Sequence, residues 1–226
     1  MPVQKIPGFL RPVFLRYMKE HGFPDAEELL AKADPIYDSF YRDTIKPEDR
    51  KVPKQLYIIM AVMALFEASN HRLGPESILP MAEMMYERKA KKLSKVMDLN
   101  RYMDPKYQKP GYWLINCYAK HVNAKRRDGH HDKGWDILVN PDGHTEGFQI
   151  ALSGGCPLVD FAKTHGYMDL MPYFCEVDYQ TYQMLFHAKL TRNHTIAEGA
   201  DSCDYWMIGD KSCVTDEHEK MAEKKE

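Results

Sequence analysis

The segment from residue 54 to residue 69 constrains the fold most, because its apolar side chains occur on every side of a helix. They fill one face at helical spacing and nearly fill the opposite face: Leu56, Ile59, Met60, Met63 and Phe66, then Ile58, Val62 and Leu65. A helix that is apolar all round must be covered on all sides. The segment therefore predicts a central helix, with Pro53 as its first residue.

Most of the first hundred residues show the same helical spacing. Further helices are predicted over about 9–17, 26–41 and 75–102, with prolines between them. The chain has 226 residues, of which 44% are hydrophobic, so it can bury a substantial core. These features predict a helical region over residues 1–105.

The pattern changes after Pro110, where short β-prone runs alternate with turn residues. Strands are predicted over 113–117, 135–139, 147–152, 189–192 and 203–208, and a helical stretch over 157–186 that Gly166 interrupts. Residues 140–143, Asn-Pro-Asp-Gly, have the composition of a hairpin turn. The predicted fold is α+β: an N-terminal helical half packed on a small, mainly antiparallel C-terminal sheet with additional helices. The α+β region covers 106–215, and the charged tail 216–226 is expected to fray.

Charge and hydropathy exclude several classes of partner. The 31 Lys and Arg residues nearly balance the 33 Asp and Glu residues, giving a net charge of −2, so no nucleic-acid partner is expected. The longest uncharged apolar stretch, 56–66, is about half as long as the ~20 residues of a spanning helix, so no membrane partner is expected. The N-terminus lacks the apolar core of a signal peptide, which predicts a cytoplasmic protein. The oligomeric state stays open.

The five cysteines are the main candidates for chemistry, since their odd number and wide spacing argue against a disulfide framework. Cys156 follows two glycines and precedes Pro157, which places it where helix N–H groups can stabilise a thiolate and lower its pKa. Cys175 and Asp178 are three residues apart, so on a helix they share one face. Asp178 can then act as a base or orient another group. The alternatives are a thiol that only packs at a turn and a carboxylate that caps a helix beginning near Tyr179.

Cys203 and Asp204 are adjacent in a predicted strand, so only one of them can face a site directly. Just upstream, Arg192 offers a fixed positive charge that suits a carboxylate-bearing ligand, and Thr195 offers a hydroxyl. Arg192 can equally end a surface strand. Two histidines, His187 and His194, are candidates for a general base near the cysteines.

A metal site has the right residue types but the wrong spacing. Three cysteines and two acids satisfy the ligand inventory of zinc, yet the sequence has no Cys-x-x-Cys pair. The gaps of 19 and 28 positions between the three cysteines do not match common zinc modules. We therefore predict no metal and no cofactor.

An ordered set of residues in the C-terminal block resembles the L-2-amino-thiazoline-4-carboxylic acid hydrolase family. The set is Cys156-Pro157, Gly166-Tyr167, Pro172, Cys175, Asp178, Arg192, Thr195-Ile196-Ala197-Glu198-Gly199 and Cys203-Asp204-Tyr205. No single element is specific, but the order is. The resemblance covers about residues 145–210.

The resemblance implies hydrolytic opening of a small cyclic amidine, with cleavage of the ring carbon–sulfur bond. It implies a catalytic set of Cys156, Cys175, Asp178, Cys203 and Asp204, in which a thiolate attacks the amidine carbon or a carboxylate activates water. The substrate-binding set that it implies is Arg192, Thr195 and Trp206. Trp206 stands where the family commonly has an arginine, which implies a substrate of different charge or size.

Two other classes of function remain as alternatives. The cysteines can belong to a binding module that senses a small molecule, a metal or redox state. They can also be core residues of a scaffold protein, in which case every thiol should react slowly with alkylating reagents. The preferred hypothesis is a hydrolase that binds a small-molecule substrate.

Overall fold

The computed structural model describes residues 3–49, 51–93, 98–127, 133–183 and 185–215, with the side chains of 88–90, 93 and 183 left out. The predicted frayed tail, 216–226, lies outside the described residues. In chain order the α-helices are α1 Arg11–Glu20, α2 Ala26–Thr44, α3 Lys54–Ala68, α4 Ile78–Leu93, α5 Pro105–Arg127, α6 Pro157–His165 and α7 Met171–Gln183. The strands are β1 Asp136–Val139, β2 Phe148–Ser153, β3 Ala188–Thr191 and β4 Ser202–Gly209. The fold is α+β, as predicted.

Helix α3 lies at the centre of the helical half, as its all-round apolar surface predicts. Eight of its residues are buried: Leu56, Ile59, Met60, Ala61, Val62, Met63, Ala64 and Leu65. Helices α2 and α6 pack against it. Pro53 is not the first helical residue but the N-cap, with an extended backbone at ψ 142°.

The single helix predicted over 75–102 is wrong. A 3₁₀ turn, Pro75–Ser77, precedes α4, and a second 3₁₀ turn, Leu99–Met103, follows Asp98. Asp98 is extended and forms a parallel bridge with Phe186, and its side chain accepts a hydrogen bond from the N–H of Asn100. The Asp98 carboxylate therefore caps a separate turn, which begins after α4 has ended at Leu93.

The four strands form one antiparallel sheet in the order β1-β2-β4-β3. Residues 140–143 form the predicted turn within the connection from β1 to β2, with the N–H of Gly143 donating to the carbonyl of Asn140. Gly147, just before β2, has φ +65°, and a Cβ there would collide with the carbonyl oxygen of Met207. Only glycine fits this close approach of two backbones.

Side-chain alternation gives the sheet two faces. Ile150 and Leu152 of β2 lie opposite Tyr205 and Cys203 of β4, so these four side chains share one face. Asp204 and Trp206 point to the other face. Helix α7 contacts the sheet through β3 and also packs on α4, and this arrangement leaves a space between the sheet and the helices.

The strand predicted over 113–117 is wrong, because these residues lie in α5. Their aromatic and branched side chains are of the types common in strands. The buried residues of this segment, however, recur at helical spacing. Gln108 and Ala119 are buried on the inner side of α5, while Trp113 faces solvent. Asn123 anchors the helix to β1: its amide nitrogen donates to the carbonyl of Ile137, and its amide oxygen accepts from the N–H of Ile137, both at 2.9 Å.

Among the described residues, the helices are all too short or too polar to cross a bilayer.

Candidate functional site

A cavity of about 230 Å³ lies between the sheet, α7 and the helices α3 and α4. This volume is somewhat below the ~300–1,000 Å³ of pockets for drug-sized ligands, which suits a small molecule. Most of the wall is aliphatic or aromatic. Its polar and thiol-bearing lining residues are Gln55, Tyr86, Trp135, Cys156, Cys175, Asp178, Thr181, Tyr182, Arg192, Cys203 and Tyr205.

Five of the eight predicted site residues line this cavity: Cys156, Cys175, Asp178, Arg192 and Cys203. They come from the N-terminus of α6, from the middle of α7, from the end of β3 and from β4. Cys175 and Asp178 are one helical turn apart on α7 and face the same space, as their spacing predicts. Asp204, Thr195 and Trp206 are not lining residues.

Asp178 carries the carboxylate of the cavity. Its Oδ2 accepts a hydrogen bond from the Tyr205 hydroxyl at 2.9 Å and lies 3.5 Å from Nη1 of Arg192. Burial raises the pKa of Asp178 above its ordinary value, while Arg192 and the Tyr205 hydrogen bond oppose that rise. The carboxylate is therefore a stronger base than an exposed aspartate.

Arg192 supports Asp178 as part of the cavity wall. Only 1% of its side-chain surface is accessible, whereas 34% of the Asp178 side chain is. Its Nη1 also donates to the carbonyl of Cys175 at 2.8 Å, and its guanidinium lies 4.6 Å from the centre of the Tyr205 ring. The guanidinium therefore already bonds protein groups, and its predicted role of holding a substrate carboxylate stays a prediction.

Cys156 is the N-cap of α6, with Pro157 at the first helical position as predicted. The expected lowering of its pKa is wrong. Burial raises the pKa of Cys156, and this effect exceeds the opposing effects of the Val159 and Leu158 N–H groups and the Trp135 indole. The sequence reveals the helix terminus but not the depth at which the sulfur lies.

Cys203 is the cavity thiol on β4, on the same face of the strand as Tyr205. Its Sγ accepts a hydrogen bond from the N–H of Ile196 at 3.2 Å. Burial raises its pKa to about 11, while Ile196 and Arg192 act to lower it. Burial raises the pKa of Cys175 as well, against the effect of Arg192. All three cavity thiols are therefore protonated at neutral pH until a base removes the proton.

These environments predict two classes of cysteine reactivity. Cys117 and Cys213 are exposed, Cys156 and Cys203 are buried, and Cys175 is partly buried. At pH 7.5 we expect iodoacetamide to modify Cys117 and Cys213 at least tenfold faster than the cavity thiols, because the cavity thiols are less accessible and burial raises their pKa values. Peptide mapping by mass spectrometry against time measures each rate. Uniform rates across all five residues would contradict the cavity geometry.

Asp204 points away from the cavity and holds the loop after β3. Its carboxylate accepts hydrogen bonds from the N–H groups of Asn193 and His194 at 2.9–3.0 Å, and it is 3% exposed. Thr195 is the N-cap of the 3₁₀ turn Ile196–Glu198: its hydroxyl accepts from the N–H of Glu198 and donates to the carboxylate of the same residue. The structure thus gives both residues contacts that shape the loop near the cavity.

Trp206 also lies on the far face of the sheet. Its Nε1–H donates to the carbonyl of Glu146 at 2.9 Å, and its ring stacks on His144 with centroids 3.5 Å apart. The two histidines proposed as general bases also lie away from the cavity lining. His187 is 3.1 Å from a carboxylate oxygen of Asp98, and Nε2 of His194 is 3.1 Å from the Ser202 hydroxyl.

The sequence analysis did not predict the aromatic residues of the site, and three of them are related to predicted site residues. Tyr205 bonds to Asp178, Tyr182 lies one turn after Asp178 on α7, and Trp135 contacts Cys156. The signal for Tyr205 was present, because strand alternation places it on the same face as Cys203. Helical spacing likewise relates Tyr182 to Asp178. No pattern in the sequence relates Trp135 to Cys156.

Across the described ranges, no group of three or more His, Cys, Asp and Glu side chains is arranged to hold a metal ion. The three cavity cysteines and Asp178 therefore share a lining without forming a ligand set.

Comparison with known proteins gives one match. A family model described as L-2-amino-thiazoline-4-carboxylic acid hydrolase matches residues 55–207, which includes α3, the whole sheet up to Met207 and every lining residue of the cavity. No curated protein and no solved structure gives a match. The model covers more than half of the chain, so the protein belongs to the L-2-amino-thiazoline-4-carboxylic acid hydrolase family.

Proposed function

We propose that this protein is a cytoplasmic, cofactor-independent hydrolase that opens a small cyclic amidine in the cavity between the sheet and α7. One observation carries the proposal: a base of raised pKa, Asp178, and a thiol supported by a backbone N–H, Cys203, face the same small and mainly apolar space. The family name supports a hydrolase of this type. The absence of any disulfide among the five cysteines is consistent with a reducing compartment.

Cys203 and Asp178 are proposed as nucleophile and base. Cys203 and Tyr205 lie on the same face of β4, and the Tyr205 hydroxyl donates to Asp178, so the carboxylate and the thiol face the same cavity. The negative charge of Asp178 is also one of the effects that raise the pKa of Cys203. Proton transfer from the thiol to the carboxylate removes this repulsion and produces the thiolate.

The reaction balances with one added water. The Cys203 thiolate adds to the amidine carbon, the ring carbon–sulfur bond breaks, and Asp178 returns the proton to the departing sulfur. The enzyme is then bonded through sulfur to an isothiourea carbon. Water, deprotonated by Asp178, adds to this carbon, and the Cys203 thiolate leaves and takes up the proton. The product carries a free thiol and a urea group.

The wall of the cavity favours a substrate whose substituents are mainly apolar. Arg192 and Asp178 supply one positive and one negative charge, and Arg192 is already engaged by Asp178 and the Cys175 carbonyl. A carboxylate on the substrate would have to share Arg192 with Asp178. We therefore propose that cyclic amidines with small aliphatic substituents are substrates in addition to 2-amino-thiazoline-4-carboxylate.

The direct test is turnover of matched compounds. Purified full-length protein is incubated with 2-amino-thiazoline-4-carboxylate, with 2-amino-thiazoline, and with a 4-methyl analogue, and the released thiol is measured against an enzyme-free control. We expect thiol release from at least one of the three, with the 4-methyl compound turned over at least as well as the carboxylate. Saturable binding without thiol release would contradict the hydrolase and favour a binding module.

The roles of the three thiols are separated by single substitutions. We expect Cys203→Ser to lower kcat at least a hundredfold, because a hydroxyl is a much weaker nucleophile than a thiolate. Cys156→Ser and Cys175→Ser serve as matched controls in the same cavity and should stay within about tenfold of the native rate. If all three variants keep the native rate, thiol chemistry is excluded and direct activation of water by Asp178 is left as the mechanism.

A further inference from the structure

Helix α5 carries an exposed apolar surface that is separate from the cavity. Trp113, Leu114 and Tyr118 are 69%, 65% and 62% exposed, and they lie on the solvent side of the helix. At 100° per residue they span an arc of about 140°. Single exposed apolar side chains are ordinary, but three large ones on one helix face indicate a contact surface. No α5 residue lines the cavity.

The same helix is strongly basic. Residues 105–127 contain no Asp or Glu, although the whole chain has a net charge of −2. Arg126 pairs with Asp136 at 3.1 Å. The other five basic residues of α5 are exposed: Lys106, Lys109, Lys120, Lys125 and Arg127. The three apolar side chains therefore lie between groups of lysines towards the two ends of the helix.

The combination of these features selects one kind of partner. A second copy of this chain would bring two positively charged helices together, so self-association through α5 is opposed by charge. Trp and Tyr prefer the level of lipid headgroups, and exposed lysines contact anionic lipids at about 1 kcal/mol each. A convex helix with aromatic side chains in the middle and lysines around them suits a flat anionic surface.

We propose that α5 docks the protein on an anionic lipid surface, with Trp113, Leu114 and Tyr118 at headgroup level and the lysines against lipid phosphates. Such a contact needs no spanning helix. It departs from the expectation of no membrane partner, which rested on the length of the apolar stretches.

Sedimentation with lipid vesicles tests the proposal on the full-length chain. In 50 mM salt we expect at least tenfold more protein on vesicles of phosphatidylcholine with 30% phosphatidylglycerol than on phosphatidylcholine alone, and release as the salt concentration rises. Lys109→Glu and Lys120→Glu should each reduce binding severalfold. Lys163→Glu, on the exposed part of α6, controls for net charge and should bind like the native protein.

The apolar part of the contact has its own variants. The triple variant Trp113→Ala, Leu114→Ala, Tyr118→Ala should lose at least 90% of vesicle binding while turnover and thermal unfolding stay unchanged. Phe9→Ala, which removes an aromatic side chain that is 56% exposed elsewhere, should bind normally. Trp113→Phe should keep binding but lose the blue shift of tryptophan emission on anionic vesicles.

Three results would overturn the proposal. One is equal binding to neutral and anionic vesicles, or binding to neither. Another is a dimer in analytical ultracentrifugation that the triple variant abolishes, which would assign the surface to a second copy. The third is binding to polyglutamate but not to anionic vesicles, which would assign it to an acidic protein.

Discussion

Asp178→Asn is expected to lower kcat/KM at least a thousandfold, because the amide cannot accept the proton of Cys203 or of water. Removal of a general base typically lowers rates by ~10²–10⁴, and here one carboxylate serves both steps of the proposed reaction. Steady-state thiol release measures the effect. A variant that retains more than a tenth of native activity would contradict the role of Asp178 as the base.

The substitution takes the carboxylate away from the buried Arg192 side chain, so urea denaturation must show that the variant is folded before its turnover is compared. The pKa of Asp178 is raised in spite of Arg192, so the folded protein favours the neutral form relative to water. Asn is neutral and of the same size. Asp204→Asn is the matched control, since the Asp204 carboxylate accepts backbone N–H groups that an amide satisfies only in part. We expect about 1–3 kcal/mol of lost stability for Asp204→Asn, with turnover near the native value once folded.

The pH profile follows from the same shift. Catalysis needs the ionised carboxylate, so kcat/KM should fall as pH decreases through the raised pKa of Asp178, on a limb that lies above the ordinary value of 3.8. The contribution of Asp178 to stability depends on pH in the opposite direction to its contribution to catalysis. A group whose pKa is raised on folding stabilises the protein below its unfolded pKa, and this contribution is lost as pH rises through the folded pKa.

Arg192→Ala is expected to destabilise the protein by about 1–3 kcal/mol, because it removes the cation beside the partly accessible Asp178 carboxylate. The substitution also removes the hydrogen bond to the Cys175 carbonyl and the packing against Tyr205. Urea denaturation measures the loss. Arg16→Ala, which breaks an exposed i,i+4 pair with Glu20, is the control and should leave stability unchanged.

A double substitution distinguishes charge from packing. If the unpaired carboxylate dominates, Arg192→Met combined with Asp178→Asn should recover at least half of the stability lost in Arg192→Met alone. The deficit of Arg192→Met should also be smaller at pH 5 than at pH 8. Without Arg192 the folded pKa of Asp178 rises further, and protonation at low pH then relieves the buried charge. Equal deficits at both pH values would assign the effect to packing.

Local patterns predicted those parts of the fold that depend on one segment at a time. The apolar surface of α3, the hairpin turn at 140–143 and the start of α6 at Pro157 each follow from the residues within them. The helix over 75–102 failed because Asp98 pairs with Phe186, a contact between residues far apart in the chain. The strand over 113–117 failed because bulky side chains that favour strands occur here on an exposed helix face.

The candidate site was predictable in membership more than in orientation. Periodicity places Cys175 with Asp178, and Cys203 with Tyr205, so these pairs follow from spacing alone. The orientation of the Arg192 side chain depends on α7, because its guanidinium donates to the Cys175 carbonyl on that helix. The pKa of Cys156 depends on burial by several elements, which a helix terminus in the sequence does not reveal.

The pairing of Asn123 with Ile137 has a consequence for self-assembly. The side-chain amide occupies the backbone donor and acceptor of Ile137, which an incoming fifth strand would otherwise use. Strand addition at β1 must therefore first displace α5 and break two hydrogen bonds. The β1 edge of the sheet therefore resists the repeated strand addition by which open sheets assemble into fibres.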